Sequence, residues 1–518
     1  MEWVFVNQIN IAMKPSIELF KLIKSLSKSE KRFFKLSSSL QSGSKNYIKI
    51  FDTIEKQSNY DEEALKKKYK NETFVNHLPS EKNHLYKLIL KSLRAYHADS
   101  SLTSILKQEI KNIEILYNKA LYKECNKFLM RAKKTAILYE KFYFLFELIS
   151  WEKLLLEEQL EDGKFTKDLD GLIEEEQSVI KKLQNLAEYH VLYSKINFAF
   201  RSGGYCRTEA DRKIVAEIAN HKLIIGKNTA LSNRAATICY YTQGFCSLAN
   251  WDYVTAIDKF RKVKIILDKF PNIRKDLAKR YVKTVSKMLA CEIYLNNTKK
   301  AQSLINELEI LKNEPGFKKL NIEVEIFKEI NINKLKFLCR SGNYTQGLVA
   351  IEEIIEELPK HNENLHKEQE LSIYFHIATT YFGAQEYKNA LGWINKILND
   401  KESMLRQDLF SYARLLDLMI HFELGNYDLL EYTLKSTQRF LNKKQRNFDL
   451  EKTVIKNLKK LIKKQSPEDQ KSIYLNFKNE IEQGLSGGNR HIVFKYINFP
   501  TWIQSKINGC TMSEIING

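Results

Sequence analysis

Ten histidines are the first place to look for metal or acid–base chemistry in this 518-residue chain. None stands in an HExxH or other metal-ligating spacing. His77 and His84 lie two helical turns apart, but Pro79 falls between them and interrupts a helix, so they read as surface residues. The seven cysteines are an odd number with no CxxC pair. They read as small core residues of a reducing compartment. Phosphate chemistry needs a glycine-rich loop, and neither GxxxxGK[ST] nor GxGxxG occurs; "IIGKNT" at 224–229 has a Gly-Lys pair without the earlier glycine. No GxSxG elbow presents a nucleophilic serine. Carboxylate pairs such as Glu174 and Glu176 fall on a solvated helix. The sequence therefore predicts no catalytic residues, no metal, no cofactor and no enzymatic activity.

Charge is the stronger chemical signal. The formal net charge is +20, and 67 of the 83 basic residues are lysine. A basic surface attracts phosphate and acidic partners, but specific phosphate and base readout leans on arginine. Residues 431–480 hold 13 basic against 6 acidic side chains. Leu and Ile spacing there predicts an amphipathic helix with Lys456, Lys459, Lys460, Lys463 and Lys464 on its basic face. That face suits RNA, DNA or an anionic lipid surface, or it is simply solvated. Lys82, Lys87, Lys91 and Arg94 put charge on a second helix, from about 79. It follows a short helix from about 61 and a small segment near 74–78, the order in which a helix-turn-helix begins.

The elements that position these residues emerge from a repeated phrase. "FAFRSGGY" at 198–205 and "FLCRSGNY" at 337–344 share Phe, Arg, Ser, Gly and Tyr. Taking the final Tyr as an anchor, equivalents fall at Tyr122, Phe165, Tyr205, Tyr253, Thr298, Tyr344, Tyr387 and Tyr427. The gaps are 43, 40, 48, 45, 46, 43 and 40 residues, an internal repeat of eight units. In each unit a helix runs up to one to three Gly, Asn or Asp residues able to adopt the left-handed conformation that ends it. The anchor then packs back into the hairpin and a second helix follows. Small residues recur three positions after the anchor, at Cys125, Ala256, Ala301, Gly347 and Ala390, where two helices must approach closely. Arg201 and Arg340 stand in the last turn of their helices, placed to meet free carbonyls or to grip an acidic partner.

"SGNYTQGLVAIEEIIEELP", with Gly342, Asn343, Tyr344, Gly347, Ile351 and Pro359, resembles the tetratricopeptide repeat. So does "YFHIATTYFGAQEYKNALGWI", with Ala378, Tyr381, Tyr387, Ala390 and Ile394, and Gly244 stands nine before Tyr253. The period is longer than the usual ~34 residues of that family. The resemblance spans roughly 100–440 and implies an all-α solenoid of about eight helical hairpins whose first helices line a concave groove. Carried over unit by unit, it implies groove-facing side chains at Tyr241, Phe245, Lys283, Lys287, Lys336, Arg340, Phe375 and His376, with Arg201 in the same register as Arg340. Aromatics would anchor a peptide or helix, and Lys and Arg would pair with its acidic groups.

Three regions follow: a helical N-terminal domain over 1–100, the repeat array over 101–440, and a basic helix with a capping segment over 441–518. "SKSE" at 27–30 reads as a capping box, and Asp61 and Ser80 as helix caps. "GLSGGN" at 484–489 reads as a linker, and "HIVFKYINFPTWIQSKI" as the closing end of the array. No run of eighteen apolar residues predicts a membrane span. The opening stretch has no basic region before its short apolar run and is a poor signal peptide, with Met13 a second start. The expectation is a cytoplasmic, non-enzymatic scaffold that binds another protein; the alternative is a regulator whose basic helices contact nucleic acid.

Overall fold

The computed structural model describes residues 15–39, 46–158, 165–203, 209–361, 364–400, 406–444, 446, 448–464, 466–486, 494 and 496–518. Met13, Tyr205 and part of the expected 484–489 linker lie outside them, as does the side chain of Arg201. The fold is all-α, with 26 α-helices, one short 3-10 helix and no strand among the described residues. The scarcity of glycine and proline leaves little to interrupt helices once they start.

The chain forms two compact units, Met1–Ala136 with Glu147–Leu169, and Ile137–Phe146 with Asp170–Gly518. The first unit extends past the expected boundary at residue 100. Its own core joins Leu19, Ile23, Phe34, Phe51, Ile54, Leu85 and Ile89 around the helix Leu78–Tyr96. Ser27 and Glu30 form the expected capping box, the Ser27 amide donating to Glu30 Oε2 at 2.7 Å. Asp61 caps the helix Glu62–Lys68 by accepting from the Ala64 amide at 2.9 Å. Ser80 is not a cap. The helix begins at Leu78, and Pro79 sits in its first turn, where no amide is needed. Pro79 therefore starts this helix rather than interrupting one.

In the second unit, pairs of helices stack in sequence. The first helices Asn233–Ala249, Ala278–Tyr294, Leu320–Arg340, Lys367–Gly383 and Gln407–Glu423 alternate with the second helices Tyr253–Lys269, Thr298–Leu311, Tyr344–His361, Tyr387–Leu398 and Tyr427–Lys443. Each of these five second helices opens on the anchor residue read from the repeat, and so does Tyr122–Leu138 in the first unit. From Ala278–Tyr294 onward, each first helix also packs on the first helix of the next pair, so those helices form one continuous layer.

The turn has one geometry throughout. Two positions before each anchor, Ala120, Trp251, Asn296, Gly342, Gln385 and Gly425 all adopt positive φ, between 55° and 71°. The following amide donates back to the carbonyl five residues earlier, as in Asn343 to Leu338 at 2.9 Å and Asn426 to His421 at 3.0 Å. This is the Schellman closure, which satisfies a carbonyl at the helix end. Only two of the six positions are glycine. Cys125, Ala256, Ala301 and Ala390 are fully buried, as close helix approach requires.

Two expectations change. Tyr344 does not fold back into its own hairpin; its ring packs forward on Gly383 of the next first helix, where a β-carbon would fall inside the ring. Tyr253 likewise stacks on Tyr294 of the next hairpin, with centroids 5.1 Å apart. The anchors Phe165 and Tyr205 do not bracket a hairpin, because Phe165–Gly203 is a single 39-residue helix. Between Gly171 and Gly203 there is no glycine or proline to turn the chain.

Each forced left-handed residue with a side chain costs roughly 1 kcal/mol. Exposed Gln385→Gly should therefore raise stability by about 0.5–1 kcal/mol, read as a higher Tm, whereas Gly342→Val should lower it. A neutral or lower Tm for Gln385→Gly would refute strain at this turn.

Tyr344 is 6% exposed, so Tyr344→Ala should remove about 3–5 kcal/mol by leaving a cavity between hairpins. Chemical denaturation measures this; a loss below about 1 kcal/mol would refute the packing role.

Candidate functional site

The layer of first helices divides the predicted groove residues into two kinds. Tyr241, Phe245 and Phe375 are core. Tyr241 and Phe245 meet Phe260 edge-on at 5.3 and 6.0 Å, and Phe375 has no exposed surface. Their aromatic mass is spent joining helices, so they anchor no ligand. The charged residues Lys283, Lys287, Lys336 and Arg340 and the buried His376 do come together along the layer.

Their environments change along it. Lys283 lies 3.7 Å from Glu325, which is 1% exposed and also pairs with Lys279 and Lys328. Lys287 sits over the Phe245 ring at 5.7 Å. Burial alone would raise the Glu329 carboxyl, but Lys328, Lys287 and the Ser286 hydroxyl hold it well below the usual range. Lys336 has no such partner: it makes no hydrogen bond or ion pair among the described residues. Burial, with Lys287 and Arg406 nearby, lowers its ammonium to about 8, against the pull of Glu329. His376, 4% exposed, is driven well below its ordinary value by burial and by Lys336 and Arg406, so its ring is neutral. Arg406 is already committed to Asp408 through two 2.9 Å bonds. Arg340 is exposed; it donates from Nε to Asn296 Oδ1 at 3.0 Å and lies 5.2 Å from the Tyr294 ring.

The far end of the chain lies on this same layer. Tyr496 stacks on Tyr412 at 4.5 Å and faces Phe375 and His376 at 5.9 and 6.4 Å. In the helix Phe499–Asn508, Trp502 Nε1 and Lys506 Nζ each donate to the Glu423 carboxylate at 2.6 Å. Ser513 Oγ donates to the Gly342 carbonyl at 2.7 Å. Within the segment, Phe499–Asn508 packs on Pro467–Ser486. The segment also reaches back across the three preceding first helices. Between segment and layer is a cavity of about 210 Å³, lined by Lys336, Arg340, His376, Tyr294, Tyr344 and Tyr496 among others, with no carboxylate among the described residues of its wall. Cys339 also lines it, but burial pushes its thiol up to about 11, so it is no nucleophile.

Tyr294 and Glu423 were not anticipated. The repeat register contains a signal for them: both stand four residues before an anchor, the position of Arg340 and Arg201. Nothing local to 494–518 indicates where it docks.

The basic helix is Asp449–Lys463. Lys456 bonds Glu480 at 2.7 Å, Lys459 bonds Gln438 at 2.8 Å, and Lys464 lies 3.4 Å from Asp469. Lys460 and Lys463 are exposed. In the first unit Lys82 is buried against Glu62 and Tyr60, while Lys87, Lys91 and Arg94 are exposed. Among the described residues no cluster of His, Cys, Asp or Glu could hold a metal ion, and no helix is long and apolar enough to cross a membrane.

No protein-family model matches the chain, and no curated protein matches it.

The lone ammonium of Lys336 gives a pH test. Its folded-state value lies below the ordinary 10.5, so the unfolded chain binds more protons between about 8 and 10.5. Stability rises with pH in that window, and the penalty is fully present below pH 8. Lys336→Met should therefore stabilise the protein at pH 7 by about 2 kcal/mol, with the gain shrinking towards pH 10. Denaturant melts at several pH values measure it; a destabilised variant at pH 7 would contradict the uncompensated charge.

Proposed function

We propose that this protein is a non-enzymatic tetratricopeptide-like scaffold that binds a peptide or helix of another protein on the layer of its first helices. One observation carries the reading: residues 496–518 of the chain already lie along that layer, held by aromatic stacking on Tyr412, by the Glu423 pair and by the Gly342 carbonyl. The layer thus accepts a segment with aromatic and small polar side chains, the chemistry of peptide recognition by helical grooves. The half-exposed Lys283 and Lys287 and the exposed Arg340 favour an acidic partner. The described cysteines are all free thiols, in keeping with a reducing, cytoplasmic setting.

Nucleic acid is the competing partner, through Lys456, Lys459, Lys460, Lys463 and Lys464. It is the weaker reading because acidic or amide groups already neighbour three of the five. Capture from native lysate, with and without nuclease, separates the two. The expected result is a protein retained after nuclease treatment. Arg340→Ala should weaken its capture several-fold while the melt stays unchanged, and Tyr496→Ala, which loosens the covering segment, should strengthen it. Loss of capture after nuclease, and after charge reversal of those five lysines, would establish the nucleic-acid reading, with steep salt dependence.

A further inference from the structure

We propose that the cavity beneath Phe494 and residues 496–512 is a binding site for a small organic anion, a carboxylate or phosphate on a compact apolar body. The site lies against the layer of the proposed function and shares Arg340 with it, but it takes a small anion rather than a peptide and stands whether or not a partner protein is found.

The cavity's charge is the first ground. Among the described residues its wall carries Lys336 and Arg340 and no carboxylate. Lys336 is half-buried, and a cation partly withdrawn from water is ordinarily paired, because an isolated one is costly. The same helix shows that ordinary solution two and three turns earlier, where Glu329 and Glu325 collect Lys279, Lys283 and Lys328. At Lys336 the pattern stops, and among the described residues no group forms a hydrogen bond or ion pair with the ammonium. Two nitrogens of Arg340 are held by Asn296 and the Tyr294 carbonyl, which fixes the guanidinium while leaving Nη1 for a ligand. His376 supplies a neutral imidazole. A positioned arginine, a lysine and a neutral ring are what an anionic head group needs.

The cavity's shape is the second ground. About 210 Å³ holds several waters or one molecule of roughly ten non-hydrogen atoms. Tyr294, Tyr344, Phe382 and Tyr496 form apolar walls for its body. Both sides are built: first helices below, and above them a segment pinned at Tyr412 and Glu423. An exposed pair of cations needs no such roof, whereas a small-molecule site does, since exclusion of water strengthens each charge interaction.

Calorimetric titration of the full-length protein with benzoate and with phenyl phosphate tests this, with neutral benzamide as control. One anion should bind saturably with one site per chain, and benzamide at least tenfold more weakly. Whichever anion binds more tightly identifies carboxylate or phosphate as the head group. Lys336→Met should weaken binding at least tenfold, and Tyr496→Ala, which opens the roof, should weaken it too. Lys396→Met, exposed on a second helix over Trp393, should leave it unchanged. No saturable binding of either anion, equal binding of benzamide, or full affinity in Lys336→Met would each overturn the site. Partner capture and anion binding respond oppositely to Tyr496→Ala, so failure of one reading is distinguishable from failure of the other.

Discussion

A single left-handed residue at the end of each first helix shapes the second unit. It reverses the chain in three residues and lets the next amide reach a carbonyl five residues back, so the second helix must run antiparallel beside the first. A hairpin made this way has apolar surface on both sides and cannot bury it alone. The next hairpin must supply the cover. Tyr344 filling the space over Gly383, and Tyr253 lying on Tyr294, are that requirement expressed in side chains. The continuous layer of first helices is its consequence.

The layer can hold charge because the hairpin cores are secured elsewhere. Phe375, Leu371, Ile394 and Leu416 carry the apolar packing, which frees adjacent positions of the first helices for polar side chains. Where these face one another in the low-dielectric interior, they pair, as Glu325 and Glu329 do with surrounding lysines. Lys336, on the helix Leu320–Arg340 that packs against hairpins on both sides, makes no ion pair among the described residues. An unpaired cation held by a rigid scaffold is a feature that stability does not explain, and such features concentrate where a protein binds something.

The C-terminal segment joins the two properties. It seals the apolar end of the stack through Phe499, Trp502 and Ile503, which is a stability role. It also brings Tyr496 over His376 and Met512 beside the cavity, which encloses charge. The link between them is the Glu423 carboxylate, bonded to both Trp502 and Lys506. That carboxylate occupies the place in its unit that Arg340 has in another, so one repeat position holds a clamp for the C-terminal segment in one hairpin and an exposed cation in another.

The class of fold, the starts of the second helices, the buried small residues and the caps at Ser27 and Asp61 were all determined by the sequence itself. Each depends on bonds and contacts between residues at most a few positions apart, so local pattern suffices. The unbroken helix Phe165–Gly203 shows the limit even there, since the spacing of anchors suggested a hairpin but no residue within it could make the turn. Tertiary structure alone decided that Tyr241, Phe245 and Phe375 are core, that Tyr344 reaches the next hairpin, that Lys336 pairs with no carboxylate among the described residues, and that Tyr496 and the residues after it lie over the layer that carries it. Those outcomes rest on contacts between residues tens to more than a hundred positions apart, such as Ser513 with Gly342. Chain connectivity places no constraint on such pairs. Only the stacking of one hairpin on the next brings them within reach.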